Sequence, residues 1–442
     1  MRDTDEQALP TSRRALLAAG AASGLIAVPA RAQPRRSAPR FTPAEMQRTF
    51  ERYHAFGDKA AGGPGDNACG AWMIGELEAL GYRCTRQSYE VPAYEGGPAE
   101  LTSGRASATL IPQAIVIPTG REGLNGRLHL AGAPGDVRGA IAVIVLPHAR
   151  WSAAKGEVER RVKAELSAGA AAAVVITTGP TGEALALNAP VSTPLFDKPV
   201  AVLAPSDAQP FVDAAMLGAD ATLRIPGRSI RRPAFNVIAS LPRKAGRALI
   251  ISTPRSGWFT CTGERGPGVA VWLALARWAA RTPLNADIEL LATSGHEYDN
   301  DGGEHYIHER APKPADTALW VHLGANVAAR DWHERSPLSP LPSADPQRYL
   351  LASAALLPAA KAAFAGLPGL EQVYPALQRS AAGELGNVLK AGYEPAIGIF
   401  GGHRFHHARS DDLRCVSPDL AVPVAEAFAD VIESAVGRRR RA

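Results

Sequence analysis

The sequence predicts an α/β chain in which a mixed, mainly parallel central sheet is flanked by helices and interrupted by a β-rich insertion. Three observations predict it. From Ala234 onward, apolar strand-like runs alternate with helical patterns, the signature of a parallel sheet covered by helices. Between about Glu100 and Arg232 that alternation gives way to short β-like runs around one polar helix. The chain has 442 residues and 46% apolar content, long enough for about two to three domains and ample for a packed core.

The elements follow in order. "TPAE" at Thr42 to Glu45 reads as a capping box with proline at the first helical position, opening a helix with Met46, Phe50 and Tyr53 on one face. A second helix carries Trp72, Met73, Leu77 and Leu80 and stops at Gly81. In the insertion, Ala114–Pro118, Ala140–Leu146, Ala173–Thr177 and Val200–Leu203 read as strands and Val158–Leu166 as the helix. Beyond it, "RALIISTP", "DIELLATSG", "TALWVHLG" and "PAIGIFG" read as buried strands. "GVAVWLALARWAA" is apolar nearly all round and reads as a buried helix, and Ser417–Val436 as a closing amphipathic one.

Composition and the termini limit the function classes. A net charge of +5 is mild for this length, and the dense basic run Arg438–Arg441 lies in a terminal tail read as a solvated end, so nucleic acid is not an expected partner. At the other end, Arg13 and Arg14 precede a short apolar stretch, Ala15–Val28, and an Ala-x-Ala site at Ala30 and Ala32. This reads as a twin-arginine export signal over residues 1–32, and the expected location is periplasmic or secreted. No later segment has about 20 uninterrupted apolar residues, so no membrane insertion is expected. Four cysteines can form disulfides in an oxidising compartment. Cys69 and Cys84 are expected too far apart, whereas Cys261 and Cys415 flank the region of interest and can pair. None has metal-finger spacing.

Four polar segments end strands of the sheet, where open α/β folds bind ligands: Thr253–Gly257, Gly263–Ala270, Gly295–Gly303 and His406–Asp412. Their order and spacing resemble the di-zinc aminopeptidase family that also contains glutamate carboxypeptidase II and glutaminyl cyclase. The insertion resembles that family's protease-associated domain, with "RGAIAVIVL" and "AGAAAAVVITTG" as its best-marked strands. The chain thus reads as a signal peptide over 1–32, a linker over 33–40, an α/β domain made of 41–99 and 233–442, and the insertion over 100–232.

The family's metal site is only partly present. Where the family has a histidine and an aspartate two residues on, this chain has Thr253 and Arg255; where it has a strand-end aspartate, Gly324. Where it has the bridging aspartate, this chain has Glu264, and where it has a Glu-Glu pair, His296 and Glu297. The last histidine ligand is matched by His407, with Asp411 four residues on. The losses fall on one metal. For the other, the resemblance implies Glu264, Glu297 and His407 as ligands of one zinc with an open fourth position, and His296 as general base. The implied activity is hydrolysis of a peptide bond or a small amide or ester, or aminoacyl transfer or cyclisation.

Other readings of the same residues stay open. Glu264 can form an internal ion pair with Arg265, Glu297 can accept backbone N–H groups in its loop, and His296 can be a polar loop residue. Spacing does not distinguish His403, His406 and His407 as the ligand, and Asp411 can pair with Arg409 or Arg414. Trp258 and Phe259 can line a pocket or pack in the core, while His305 and His308 fit a solvated helix face. Cys261 near Arg255, Arg265 and His296 is a candidate nucleophile. The alternative to the enzyme is a metal-free, catalytically inactive relative that binds a peptide or other ligand.

Overall fold

The computed structural model describes residues 40–147, 155–177 and 179–439. The export signal and nearly all of the linker, 33–39, lie outside these residues, as do Arg440 to Ala442.

Helix α1 (Pro43–His54) starts at the expected capping box, with Thr42 and Glu45 satisfying each other's backbone amides. Helix α2 (Pro64–Glu78) leads into strand β1 (Arg83–Glu95). There follow β2 (Ala99–Ser103), β3 (Ala106–Pro112), β4 (Leu124–Leu130), β5 (Ile141–Val145), α3 (Lys155–Ser167), β6 (Ala172–Ile176), β7 (Val200–Leu203), α4 (Gln209–Met216) and β8 (Asp220–Arg224). Strands β2 to β8 hydrogen-bond to one another in a closed barrel, ordered β2-β3-β7-β6-β5-β4-β8. Closure leaves no free sheet edge. Ala114–Pro118, expected as a strand, is irregular. The prolines at 112 and 118 that bracket it cannot donate to a ladder, and Gln113 takes over locally, donating to the carbonyls of Phe196 and Lys198.

Strand β9 (Arg228–Leu241) returns antiparallel along the whole of β1. Then come β10 (Ala248–Pro254), α5 (Thr262–Arg281), β11 (Asp287–Thr293), α6 (Asp301–Glu309), β12 (Thr317–Leu323), the ribbon β13 (Arg330–His333) and β14 (Ser339–Ala344), β15 (Arg348–Ala352), α7 (Leu357–Ala363), β16 (Val373–Pro375), α8 (Glu384–Lys390), β17 (Ala396–Gly401) and α9 (Pro418–Val436). The main sheet is ordered β1-β9-β11-β10-β12-β17-β15-β16. Its centre, β11-β10-β12-β17, is parallel, and antiparallel pairs join it to β9 and β15.

Both faces of the sheet are covered. On one, α1, α5 and α9 bury Phe50, Trp272 and Phe428 against it; on the other, α6 and α8 enclose Tyr306, Trp320, Leu385 and Tyr393. Among the described residues no helix is long and apolar enough to cross a membrane. The basic tail read as a solvated end is pinned at its start, where Arg438 bridges to Leu284 and the Arg439 amide donates to the Pro283 carbonyl.

Candidate metal and catalytic centre

The carboxyl ends of β10, β11 and β17 and the N-terminus of α5 deliver the four segments singled out above. That helix leaves its first amides without intrahelical acceptors. Asp411 meets them: its carboxylate accepts from the Gly263 amide at 2.6 Å and the Glu264 amide at 3.0 Å. Gly263 has to be glycine, because a Cβ there would lie 2.6–2.7 Å from Cys415, Asp411 and His403. Asp411 thus fixes where Glu264 points, and it pairs with neither Arg409 nor Arg414.

Glu264 is fully buried. Its Oε1 lies 2.8 Å from Arg265 Nη2, 3.7 Å from His407 Nε2 and 3.9 Å from His406 Nδ1. Neither of its carboxylate oxygens has a well-formed hydrogen bond, nor has His406 Nδ1. Burial pushes this carboxyl up, but the neighbouring Arg265, His406 and His407 outweigh it and hold the group well below the usual carboxylate range. His407 sits at φ +61°, a left-handed conformation few non-glycine residues adopt. Its Nδ1 donates to the Ala186 carbonyl at 2.9 Å, which leaves Nε2 bare on the Glu264 side. His406 stacks on it, and burial pushes the His406 imidazole well below its ordinary range, toward the neutral ring that a metal ligand requires.

Glu297 goes elsewhere. Its Oε2 accepts from Ser256 Oγ at 2.8 Å and its Oε1 from Arg265 Nη2 at 3.2 Å. Arg265 Nη2 therefore stands between the two carboxylates expected as ligands of one zinc. The structure brings Glu264 and His407 together, adds His406, and separates Glu297 from them by a guanidinium. The donor set fits zinc in its first form, Glu264, His406 and His407, whose ligand atoms lie within 4.8 Å of one another. The Glu264–Glu297–His407 set does not fit, because Glu297 turns its two oxygens to Ser256 and Arg265 and is not among the ligand atoms that cluster with Glu264.

His296 is half-buried, with Nδ1 3.3 Å from Glu384 Oε1. His403, fully buried, faces Asp411 at 3.3 Å, and with Cys415 these form a second compact cluster whose carboxylate is occupied by the α5 amides. The positions where the family resemblance expects ligands of another metal hold other contacts here. Thr253 Oγ1 donates to the Leu323 carbonyl at 2.8 Å. Arg255 forms a fully buried ion pair with Asp66 at 3.0 Å and donates to the carbonyls of Ala292 and Phe235. A Cβ on Gly324 would lie 2.6 Å from the Ile399 carbonyl oxygen, so this backbone admits no aspartate there.

All four cysteines are free, so Cys261 and Cys415 do not pair. Trp258, Phe259 and Tyr298 line an open cleft of about 540 Å³ with Phe56, Tyr94 and Arg232 at the seam between barrel and main sheet. Trp258 also donates Nε1 to Asn188 at 2.8 Å. Sequence reading missed Glu384, which follows a glycine in a stretch with no periodic signal. It left His406 unresolved because adjacent histidines look alike until the backbone is placed.

The sequence matches no family model and no curated protein. Solved structures do resemble it. A zinc aminopeptidase from Bacillus subtilis superposes with a TM-score of 0.71 at 16% identity, covering 92% of this chain and 98% of that one. An M28 peptidase precursor from Shewanella amazonensis gives 0.67 at 16% identity over 90% and 98%. An aminopeptidase from an Aneurinibacillus strain gives 0.65 at 16% identity over 91% and 95%. At such identities the likeness establishes architecture, and the chain has the α/β fold of the zinc aminopeptidases.

Proposed function

We propose that the chain is an exported peptidase-like hydrolase that cleaves a peptide bond, or a small amide or ester, using one zinc held by Glu264, His406 and His407. The observation that carries this reading is the buried Glu264 carboxylate, whose oxygens lack well-formed hydrogen bonds and face two imidazole nitrogens. Arg265 pairs with one of these oxygens, but buried carboxylates are otherwise almost always hydrogen-bonded as well. Zinc there would polarise the carbonyl under attack. The chain's own residues do the rest. His407 is oriented by its bond to Ala186, and the Ala189 amide donates to the Glu297 carbonyl, so one loop of the barrel holds both site loops in place. Arg265 ties Glu264 to Glu297 through ion pairs of 2.8 and 3.2 Å. His296 takes a proton from water and returns it to the leaving group. The barrel acts as a protease-associated-like insertion whose seam with the main sheet forms the substrate cleft.

The test is hydrolysis of a panel of aminoacyl amides, short peptides and esters before and after chelation, with zinc restored afterwards. Turnover that chelation removes and zinc restores supports the reading, and full turnover by a metal-free sample refutes it.

A second reading has its own observation. Arg265 already supplies a cation between Glu264 and Glu297, which is how a site would persist without metal. In that case the chain is a metal-free binding protein. It would bind peptides equally well with and without chelator and cleave none of them.

A further inference from the structure

Glu384 lies 88 positions from His296 in sequence yet faces it directly. It is the first residue of α8, and its side chain is almost fully buried. Its Oε1 accepts from Thr293 Oγ1 at 2.7 Å and stands 3.3 Å from His296 Nδ1. Two glycines make room for this contact. A Cβ on Gly303 would lie 3.1 Å from Glu384 Cγ, and one on Gly383 would lie 3.2 Å from His296 Cε1. Gly383 also sits at φ +61°, where a side chain would be strained. The second ring nitrogen, Nε2, has no protein hydrogen-bond partner among the described residues.

We infer that Glu384 is a positioning residue for His296: its carboxylate accepts the Nδ1–H, which holds the ring in one orientation and leaves Nε2 as the bare nitrogen. The inference rests on the reading of His296 as general base. Burial pushes the Glu384 carboxyl up, but the hydrogen bond and charge of His296, with His322 and Thr293, bring it below its ordinary range. As an ionised carboxylate it can only accept, so Nδ1 has to be the donor. When Nε2 takes a proton from water, the ring becomes an imidazolium that still donates Nδ1–H to Glu384. When Nε2 passes that proton to the leaving amine, the neutral ring is restored in the same tautomer. Orienting the imidazole through a carboxylate is the role such a partner has in other acid–base pairs.

The experiment is ¹⁵N NMR of the histidine rings in the full chain, at a pH where His296 is neutral, for the wild type, Glu384→Gln and Glu384→Ala. The wild type should show the Nδ1–H form. Glu384→Ala should shift His296 toward the Nε2–H form, with the isosteric Glu384→Gln in between, and kcat should fall about 10²-fold with KM little changed. Nε2–H in the wild type, or an unchanged tautomer in folded Glu384→Ala, overturns the inference. The tautomer can be read without turnover. The Nδ1–H form in the wild type and its shift in Glu384→Ala, in a chain whose wild type cleaves nothing, would uphold the contact and refute the hydrolase reading instead.

Discussion

Cys261 precedes α5 at φ +38°, fully buried, with Sγ 3.1 Å from the Tyr53 hydroxyl. Burial pushes its thiol well above the ordinary range, and the nearby Lys59 and Arg265 do not reverse this. Only a thiolate is a useful nucleophile. Cys261→Ala should therefore retain most turnover, and loss of turnover in folded protein would restore the cysteine mechanism. Trp258 is a different case, since its ring lines the cleft, which none of Glu264, His296, His406 and His407 lines. Trp258→Ala should raise KM about tenfold or more with kcat within a few-fold, checked by steady-state kinetics, because it removes contact area from substrate and transition state alike. Several single residues were legible in the sequence, among them Glu264 at the start of a buried helix and His407 four residues before Asp411. The reach of Arg265 was not. Its neighbour in sequence, Glu264, is visible, but contact with Glu297 depends on how α5 and the loop after β11 come together.

At the level of elements, local signals were the readable ones. The capping box, the stop after α2 and the strand-helix alternation beyond β9 depend on nearest neighbours and on burial of one face, and each is found in place. Bracketing prolines defeated the strand expected at Ala114–Pro118, where the Gln113 side chain instead donates to the carbonyls of Phe196 and Lys198 and Ser229 Oγ donates to the Val116 carbonyl. Long-range ties were invisible for the same reason. Arg255, at the end of β10, and Asp66, in the first turn of α2, form a fully buried ion pair. Arg255→Met alone strands a buried carboxylate and should cost about 3–5 kcal/mol, whereas Arg255→Met with Asp66→Asn should recover most of it. Denaturant unfolding of both variants checks this, and equal losses would show that the pair contributes only by packing. Asp411→Ala removes both acceptors from the α5 amides and should cost about 1–3 kcal/mol. It should also weaken zinc binding, since Glu264 loses its anchored backbone.

For the whole molecule, the barrel matters to the site through one loop, in which Ala186 and Ala189 reach the backbones of His407 and Glu297. Export is argued from sequence, because Arg13 and Arg14 lie outside the described residues. Arg13→Lys with Arg14→Lys should leave the protein in the cytoplasm, and normal export of that variant in cell fractions would contradict the signal reading. The proposed site holds one zinc on Glu264, His406 and His407, with Glu297 turned to Arg265. Zinc per chain, measured by elemental analysis on the purified mature protein and on Glu264→Ala and Glu297→Ala, tests it most directly. The wild type and Glu297→Ala should each carry one zinc per chain, and Glu264→Ala none. Two zinc per chain, no zinc in the wild type, or loss of zinc in folded Glu297→Ala would contradict it.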